Sequence, residues 1–138
     1  MKKSSLVLTF MICFIAVFAQ EEQKVQENKN APVLTFDKQF IVDNDIIYDY
    51  GKIAKGSDGV CYFVFTNTGK EPLLVEKTSA CCGATTKAPE NPVLPGQKDS
   101  ISVKYNTSRA LIIDKAITVY SNAANDPVTI KVKGEVVE

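Results

Sequence analysis

Short apolar runs separated by turn residues recur along this chain. The clearest run covers residues 60–66 and stops at Asn67, Thr68 and Gly69, while later runs alternate apolar and polar residues with period two. The candidate strands are residues 33–36, 40–42, 46–50, 60–66, 73–78, 101–105, 116–120 and 128–133. Runs of this length and composition predict strands, and no window after residue 30 has helical periodicity. The pattern therefore predicts an all-β sandwich.

The run at residues 60–66 suggests how the centre of the sandwich is built. Phe63 and Phe65 share one face of the predicted strand, because successive side chains point to opposite faces. The next apolar run contains Leu73 and Val75. Pairing the two runs as a hairpin sets Phe65 opposite Leu73 and Phe63 opposite Val75, since a slip of one residue would turn Glu76 inward. We therefore predict a central hairpin.

The same register locates the cysteines. Cys61 shares the face of the phenylalanines and would lie opposite Lys77 at the end of the predicted hairpin. Cys81 and Cys82 follow Lys77 after a few residues. We therefore expect all three cysteines to lie at the same end of the sandwich.

The first residues have the pattern of an export signal. Lys2 and Lys3 precede an apolar stretch at residues 6–18, which is too short to span a bilayer and is followed by a small residue, Ala19. We predict a signal peptide at residues 1–19, a flexible linker at 20–31 and one domain at 32–138. This expectation places the protein in the periplasm, on the outer surface or in the medium, with membrane contact only through the export signal.

Charge and composition restrict the function. The chain has 16 basic and 16 acidic side chains. Removing Lys2 and Lys3 leaves 14 basic side chains (16 − 2) against 16 acidic ones, a net charge of −2. No basic stripe is present, so we expect no nucleic-acid partner. The chain has no histidine, which excludes a histidine-based triad, and we predict a non-enzymatic protein without a cofactor.

Several motifs, taken in order, resemble a known bacterial family. They are YDYGKI at residues 48–53, FVFTNTG at 63–69, PL at 72–73, a cysteine-glycine motif at 81–83, PG at 95–96, YSN at 120–122 and GEV at 134–136. Together they resemble the domain of unknown function 1573 family, which is similar to immunoglobulin-like domains of the abnormal-spindle/hydin type. The resemblance implies a single immunoglobulin-like β-sandwich of about seven to nine short strands. It also implies an exported protein of Bacteroidetes-like bacteria, but no activity.

The chain departs from that family at its cysteines. The family usually has Ser-Cys-Gly-Cys-Thr at this point, whereas here Cys81 and Cys82 are adjacent and precede Gly83 and Ala84. Cys61 is additional to the family pattern. A role that depends on the Cys-Gly-Cys arrangement is therefore not transferred to this chain.

The three cysteines after the export signal have several interpretations. A disulfide from Cys61 to Cys81 or Cys82 would close a loop of about 20 residues and add about 3 kcal/mol of stability. Alternatively the thiols are free and buried, or Cys81 and Cys82 form a strained bridge. A thiol redox or soft-metal site on all three residues is a further hypothesis. Because three is an odd number, one cysteine is also a candidate for an intermolecular disulfide.

The functional hypotheses follow from these features. The first is an exported, non-enzymatic immunoglobulin-like module that binds an unknown protein partner or forms part of an envelope structure. The second is the thiol redox or soft-metal site at Cys61, Cys81 and Cys82. The third is a glycan-binding module, provided that several tyrosines form an exposed stacking surface. The tyrosines in question are Tyr48, Tyr50, Tyr62, Tyr105 and Tyr120.

Overall fold

A computed structural model of the chain describes residues 28–138 and places nine strands there in two β-sheets. The strands are β1 Leu34–Phe36, β2 Ile41–Val42, β3 Asp45–Ala54, β4 Val60–Asn67, β5 Val75–Ala80, β6 Ala84–Lys87, β7 Lys98–Tyr105, β8 Ile112–Ser121 and β9 Val128–Val137. A single 3₁₀ turn, Lys38–Phe40, separates β1 from β2. The all-β immunoglobulin-like sandwich predicted from the sequence is confirmed.

The two sheets divide the strands between them in a non-sequential order. The first sheet has the order β1-β4-β7-β6 and the second has the order β2-β3-β9-β8-β5. β3 and β9 are parallel, while the other paired strands are antiparallel. The chain therefore leaves the first sheet after β1 and enters the second at β2, by way of the 3₁₀ turn.

The amino-terminal predictions lie mostly outside the described residues. The structure does not describe the predicted signal peptide, residues 1–19, or the linker up to residue 27. The carbonyl oxygen of Asn30, near the end of that linker, accepts a hydrogen bond of 3.2 Å from the Lys70 amide. Within residues 28–138, no helix is long and apolar enough to cross a membrane.

β4 provides the centre of the core, as the alternating pattern predicts. Phe63 and Phe65 are fully buried, whereas Tyr62, which directly precedes Phe63, is 57% exposed. Phe40, on the 3₁₀ turn, packs its ring 5.3 Å from that of Phe63. The remaining fully buried large apolar side chains are Leu73, Ile101, Val103, Ile113, Ile117, Val119, Ile130, Val132 and Val136. Burial of these apolar faces between the sheets is the main stabilising term of the sandwich.

The predicted central hairpin is wrong. β4 pairs with β1 and β7, whereas β5 pairs with β8 in the other sheet. Leu73 forms an isolated bridge with Val93 and does not lie beside Phe65. The apolar faces of β4 and β5 both point into the interior of the sandwich, but from different sheets. Two strands with apolar faces of matching parity can lie in opposed sheets as well as in a hairpin, so the pattern alone did not distinguish the two arrangements.

Other strands also differ from the prediction: β7, β8 and β9 are longer than expected, and β3 and β6 differ most. β3 does not end at Gly51 but continues to Ala54, and its pairing with β9 shifts register between Asp49 and Lys52. Gly51 has φ +63, a conformation that glycine adopts without strain. β6, Ala84–Lys87, was not predicted because it contains no large apolar residue.

The side chain of Asn67 holds the chain where it crosses from one sheet to the other. This residue is fully buried at the end of β4. Its Nδ2 donates to the carbonyl oxygens of Glu71 at 2.7 Å and Val93 at 2.9 Å. Its Oδ1 accepts from the backbone amides of Gly69 at 3.0 Å and Val33 at 3.4 Å. One amide therefore satisfies four backbone groups that have left the regular sheet.

We predict that Asn67→Ala lowers the free energy of unfolding by about 2–4 kcal/mol, because it removes a fully buried side chain together with its four hydrogen bonds to backbone groups. Urea denaturation followed by far-ultraviolet circular dichroism measures this change. The matched control is Asn91→Ala at an exposed loop position, for which we expect a change within about 0.5 kcal/mol. Equal stability of the two variants would contradict this role of Asn67.

Candidate functional site

The three cysteines of the described chain lie at one end of the sandwich. Cys61, on β4, is in register with Val103 of β7. Cys81 and Cys82 occupy the turn between β5 and β6, where the Gly83 carbonyl accepts a hydrogen bond of 2.8 Å from the Asn106 amide, just beyond β7. The predicted location at one end agrees with the structure. The reason differs from the prediction, since β4 and β5 belong to different sheets.

The structure does not bring the three thiols into one cluster. Cys61 is 2% exposed, Cys81 and Cys82 are exposed, and all three are free. β7 lies between β4 and β6, so two strand spacings of about 5 Å each separate Cys61 from the strand that follows the turn. A disulfide requires Cα atoms within about 7 Å of each other. Across residues 28–138, no three His, Cys, Asp or Glu side chains are grouped closely enough to hold a metal ion.

Cys61 is enclosed by a hydrogen-bonded tyrosine. The Tyr50 hydroxyl donates to the Gly59 carbonyl oxygen at 2.7 Å and to the Cys61 sulfur at 3.3 Å. A phenol has one hydrogen, so the two acceptors share it. Burial raises the pKa of Cys61, although the hydrogen bond from Tyr50 partly offsets this effect. Cys61 is therefore a buried thiol with little tendency to ionise.

Tyr50 is also held in its neutral form. Burial is the main cause that raises the pKa of Tyr50 above the ordinary tyrosine value, and the neighbouring Cys61 raises it further. The pair consequently favours protonation of both groups. This is the behaviour of a structural contact and is unsuited to nucleophilic catalysis, which requires a thiolate.

Cys81 and Cys82 have the opposite environment. They are exposed, and the chain reverses here through positive φ angles of +41 at Cys82 and +92 at Gly83. The adjacent Cys82 thiol raises the pKa of Cys81, and the charge of Lys115 lowers it by a smaller amount. The two thiols therefore interact with each other and with a nearby cation.

A groove opens on the other side of Cys61, between the edges of the two sheets. It is lined by apolar and aromatic side chains that include Phe40, Tyr48 and Tyr62, and by one carboxylate and one ammonium group, Asp49 and Lys133. Its volume of about 660 Å³ falls within the range of ligand-sized clefts. No sequence pattern predicts this groove, because its walls come mainly from β3 and β4, which belong to different sheets.

The backbone of β4 explains why the groove has an open edge. The Asn67 amide donates to Gln97 at one end of β4, and Tyr105 donates to Gly59 at the other. Because hydrogen-bonded pairs recur at every second residue of an antiparallel ladder, the odd-numbered residues of β4 bond to β7. The even-numbered residues direct their N–H and C=O groups to the opposite side.

On that side, β1 covers only part of β4. The register of β1 runs from Leu34 opposite Asn67 to Phe36 opposite Phe65, and the last contact is the Asp37 amide on the Val64 carbonyl. Beyond this point the chain turns away through Lys38–Phe40. Within residues 28–138, no strand pairs with the outward N–H and C=O of Tyr62. β4 thus presents a short open edge along the groove.

The aromatic surface required by the glycan hypothesis is not assembled. Tyr105 is buried, while Tyr48, Tyr50 and Tyr120 are only partly exposed. Tyr62 alone among the five tyrosines is more than half exposed. Stacking on a sugar face generally uses aromatic rings that reach solvent. The structure therefore favours packing as the role of the other four.

The family model described as "Protein of unknown function (DUF1573)" matches residues 40–136 of this chain. The matched region includes β2 to β8, most of β9, the groove lining except Gln39, and all three cysteines of the described residues. A comparison with curated proteins finds no match.

Solved structures with a similar fold include proteins from two bacteria. A protein of unknown function from Porphyromonas gingivalis W83 has a TM-score of 0.65 and 15% identity over 83% of this chain and 51% of its own. The VesB protease of Vibrio cholerae has a TM-score of 0.57 and 11% identity over 78% of this chain and 32% of its own. The secreted serine protease VesC of the same organism has a TM-score of 0.52 and 14% identity over 77% of this chain and 23% of its own.

This chain spans about half of the Porphyromonas protein and a third or less of the two proteases. At these levels of identity the likeness shows the fold alone. The immunoglobulin-like sandwich is thus also found as part of larger chains.

We predict that Cys81 and Cys82 react quickly with iodoacetamide in the folded protein, whereas Cys61 reacts only after unfolding, because it is buried and protonated. Mass spectrometry of peptides from a Cys13→Ser background measures the three rates separately. This background removes the cysteine outside the described residues. Equal rates for Cys61 and Cys81 would contradict the assignment.

We also predict that the protein loses stability at alkaline pH. The folded-state pKa values of Cys61 and Tyr50 are raised, so stability is fully present below the unfolded-state values of about 8.5 and 10 and falls as the pH rises beyond them. In Tyr50→Phe, we expect about 1 kcal/mol lower stability at pH 7 from the lost hydrogen bond, and a flatter decline between about pH 9 and 11. Urea denaturation across this range measures both effects. If the free energy of unfolding falls equally with pH in Tyr50→Phe and in the unmodified protein, the prediction is wrong.

Proposed function

The chain belongs to the DUF1573 family of proteins of unknown function, so its own surface has to indicate its role, and we propose that it is an exported, non-enzymatic protein-interaction module. The observation that carries this proposal is the open edge of β4 beside an apolar groove. An unpaired strand edge can accept an additional strand from another protein, with main-chain hydrogen bonds supplying affinity and pockets supplying specificity.

The occupant that fits this edge is a short extended segment of a partner protein. Such a segment would bond to the N–H and C=O of Tyr62 and the C=O of Val60, the groups that no described strand covers. The Val60 N–H is already satisfied by Asp58 Oδ1 at 3.2 Å. This limits the new pairing to about two or three residues, and a side chain of the partner would have to add contacts in the groove.

The chemistry of the groove specifies the side chain. Phe40 and Tyr48 provide an aromatic floor, and their ring centroids lie 6.5 Å apart. Asp49 and Lys133 contribute one negative and one positive charge, so neither sign of charge is favoured overall. The partner segment is therefore uncharged, extended and carries one apolar or aromatic side chain towards the floor.

The composition supports a binding role over catalysis. The chain has no histidine, and the thiol beside the groove, Cys61, is held protonated by burial. The export signal predicted at residues 1–19 would deliver the module to the periplasm, the outer surface or the medium. The partner is accordingly a protein of one of those locations.

A peptide selection tests this proposal. Random peptides displayed on phage are selected on the purified protein, and the best peptide is synthesised. We expect it to shift the backbone amide resonances of Val60 to Val64 and to bind Tyr62→Lys at least about 10-fold more weakly, because a charged residue blunts an open edge.

The control carries the same kind of change elsewhere. Ile112, on β8, is 75% exposed and lies away from the groove, so Ile112→Lys should bind the peptide as the unmodified protein does. Weakening by Ile112→Lys alone would place the binding surface on β8 and overturn the proposal. A concentration-dependent dimer that Tyr62→Lys abolishes would show that a second copy occupies the edge, which also overturns it.

A further inference from the structure

The turn between β5 and β6 presents two adjacent thiols to solvent. Ala80 ends β5 and Ala84 begins β6, so only Cys81, Cys82 and Gly83 connect the two sheets at this point. Both cysteines are exposed and free. In the described structure, neither is needed as a disulfide staple or as a core residue, and the proposed groove on β4 makes no use of them.

The turn is held in one shape by its surroundings. Its Gly83 carbonyl accepts from the Asn106 amide at 2.8 Å, and the flanking Ala84 is in register with Tyr105. On the other side, Ala80 is in register with Ile117 of β8. Both ends of the turn are therefore anchored to sheets, which limits the separation of the two thiols. Preorganised ligands bind a metal ion with a smaller loss of conformational entropy.

The charges around the turn are positive. Cys82 shares a shallow cavity with Arg109 and Lys115, and no carboxylate lines this cavity. A positive environment stabilises a bound complex with a net negative charge. It disfavours hard divalent cations, which prefer carboxylate oxygens.

From this arrangement we propose that Cys81 and Cys82 bind one soft monovalent metal ion, Cu(I), through two sulfur ligands. Thiolates select soft ions of this kind. Each of the two thiols loses a proton to the solvent and forms one Cu–S bond. The product is a bis-thiolate complex with a charge of −1, and no oxidation state changes. Lys115 and Arg109 offset that charge.

The number of ligands distinguishes Cu(I) from zinc. A structural zinc site takes four ligands from cysteine, histidine or carboxylate, and no such group forms among residues 28–138. The site also differs from the cluster of three cysteines that the sequence suggested, because Cys61 takes no part in it. This difference gives the experiment its internal control.

Competition with the chromophoric chelator bicinchoninate tests the proposal. Cu(I) is titrated anaerobically into the purified protein in a Cys13→Ser background. We expect one equivalent to be withdrawn from the chelator, with Cu–thiolate absorption in the near ultraviolet. Cys81→Ser and Cys82→Ser should each weaken binding at least about 100-fold, since one sulfur ligand is lost. Lys115→Gln should weaken it several-fold.

Cys61→Ala is the matched control and should bind Cu(I) as tightly as the background protein. Far-ultraviolet circular dichroism confirms that each variant is folded, and Cys81→Ser and Cys82→Ser change only exposed positions. No withdrawal of Cu(I) by the background protein would overturn the proposal. So would equal binding by Cys81→Ser, or loss of binding in a folded Cys61→Ala variant.

Discussion

The hydrogen-bonding requirement of β4 governs this structure. One side of the strand is fully used by β7, because its odd-numbered residues bond there from Gly59 to Asn67. The other side depends on whichever chain segment lies alongside. β1 covers that side only as far as Val64, and the chain then leaves for the second sheet. The same departure that closes the sandwich with Phe40 therefore leaves Tyr62 at an open edge.

The opposite end of β4 meets the same requirement with a side chain. The chain leaves the first sheet after Asn67, and the backbone groups near this crossing lose their regular partners. The Asn67 amide replaces them. Gly69 allows the close approach, since a Cβ atom there would lie 2.2 Å from the Ala31 carbonyl oxygen. One end of β4 is thus sealed by polar contacts and the other remains available for binding.

The sequence was sufficient for those features that depend on local periodicity. Phe63 and Phe65 are buried and Tyr62 is exposed, as period-two alternation requires. The sequence did not determine which strands pair with each other. The apolar faces at Phe63 and Val75 are equally compatible with a hairpin and with two opposed sheets, so the hairpin prediction failed. β6 lacked an apolar signal altogether.

The candidate sites show the same division. Placing the cysteines at one end needed only the direction of the strands and agreed with the structure. Whether they met depended on the strand order, which separates Cys61 from the Cys81–Cys82 turn by β7. The groove beside Tyr62 was not predictable, because its walls, on β3 and β4, belong to different sheets. The arrangement of both candidate sites therefore follows from topology more than from any motif.

The open edge of β4 is the central claim, and amide hydrogen exchange measured by nuclear magnetic resonance tests it most directly. The amides of Cys61 and Phe63 bond to β7, whereas no described strand covers that of Tyr62. We predict that the Tyr62 amide exchanges at least about 100-fold faster than its two neighbours in the free protein. Protection of Tyr62 equal to that of Cys61 and Phe63 would contradict the account.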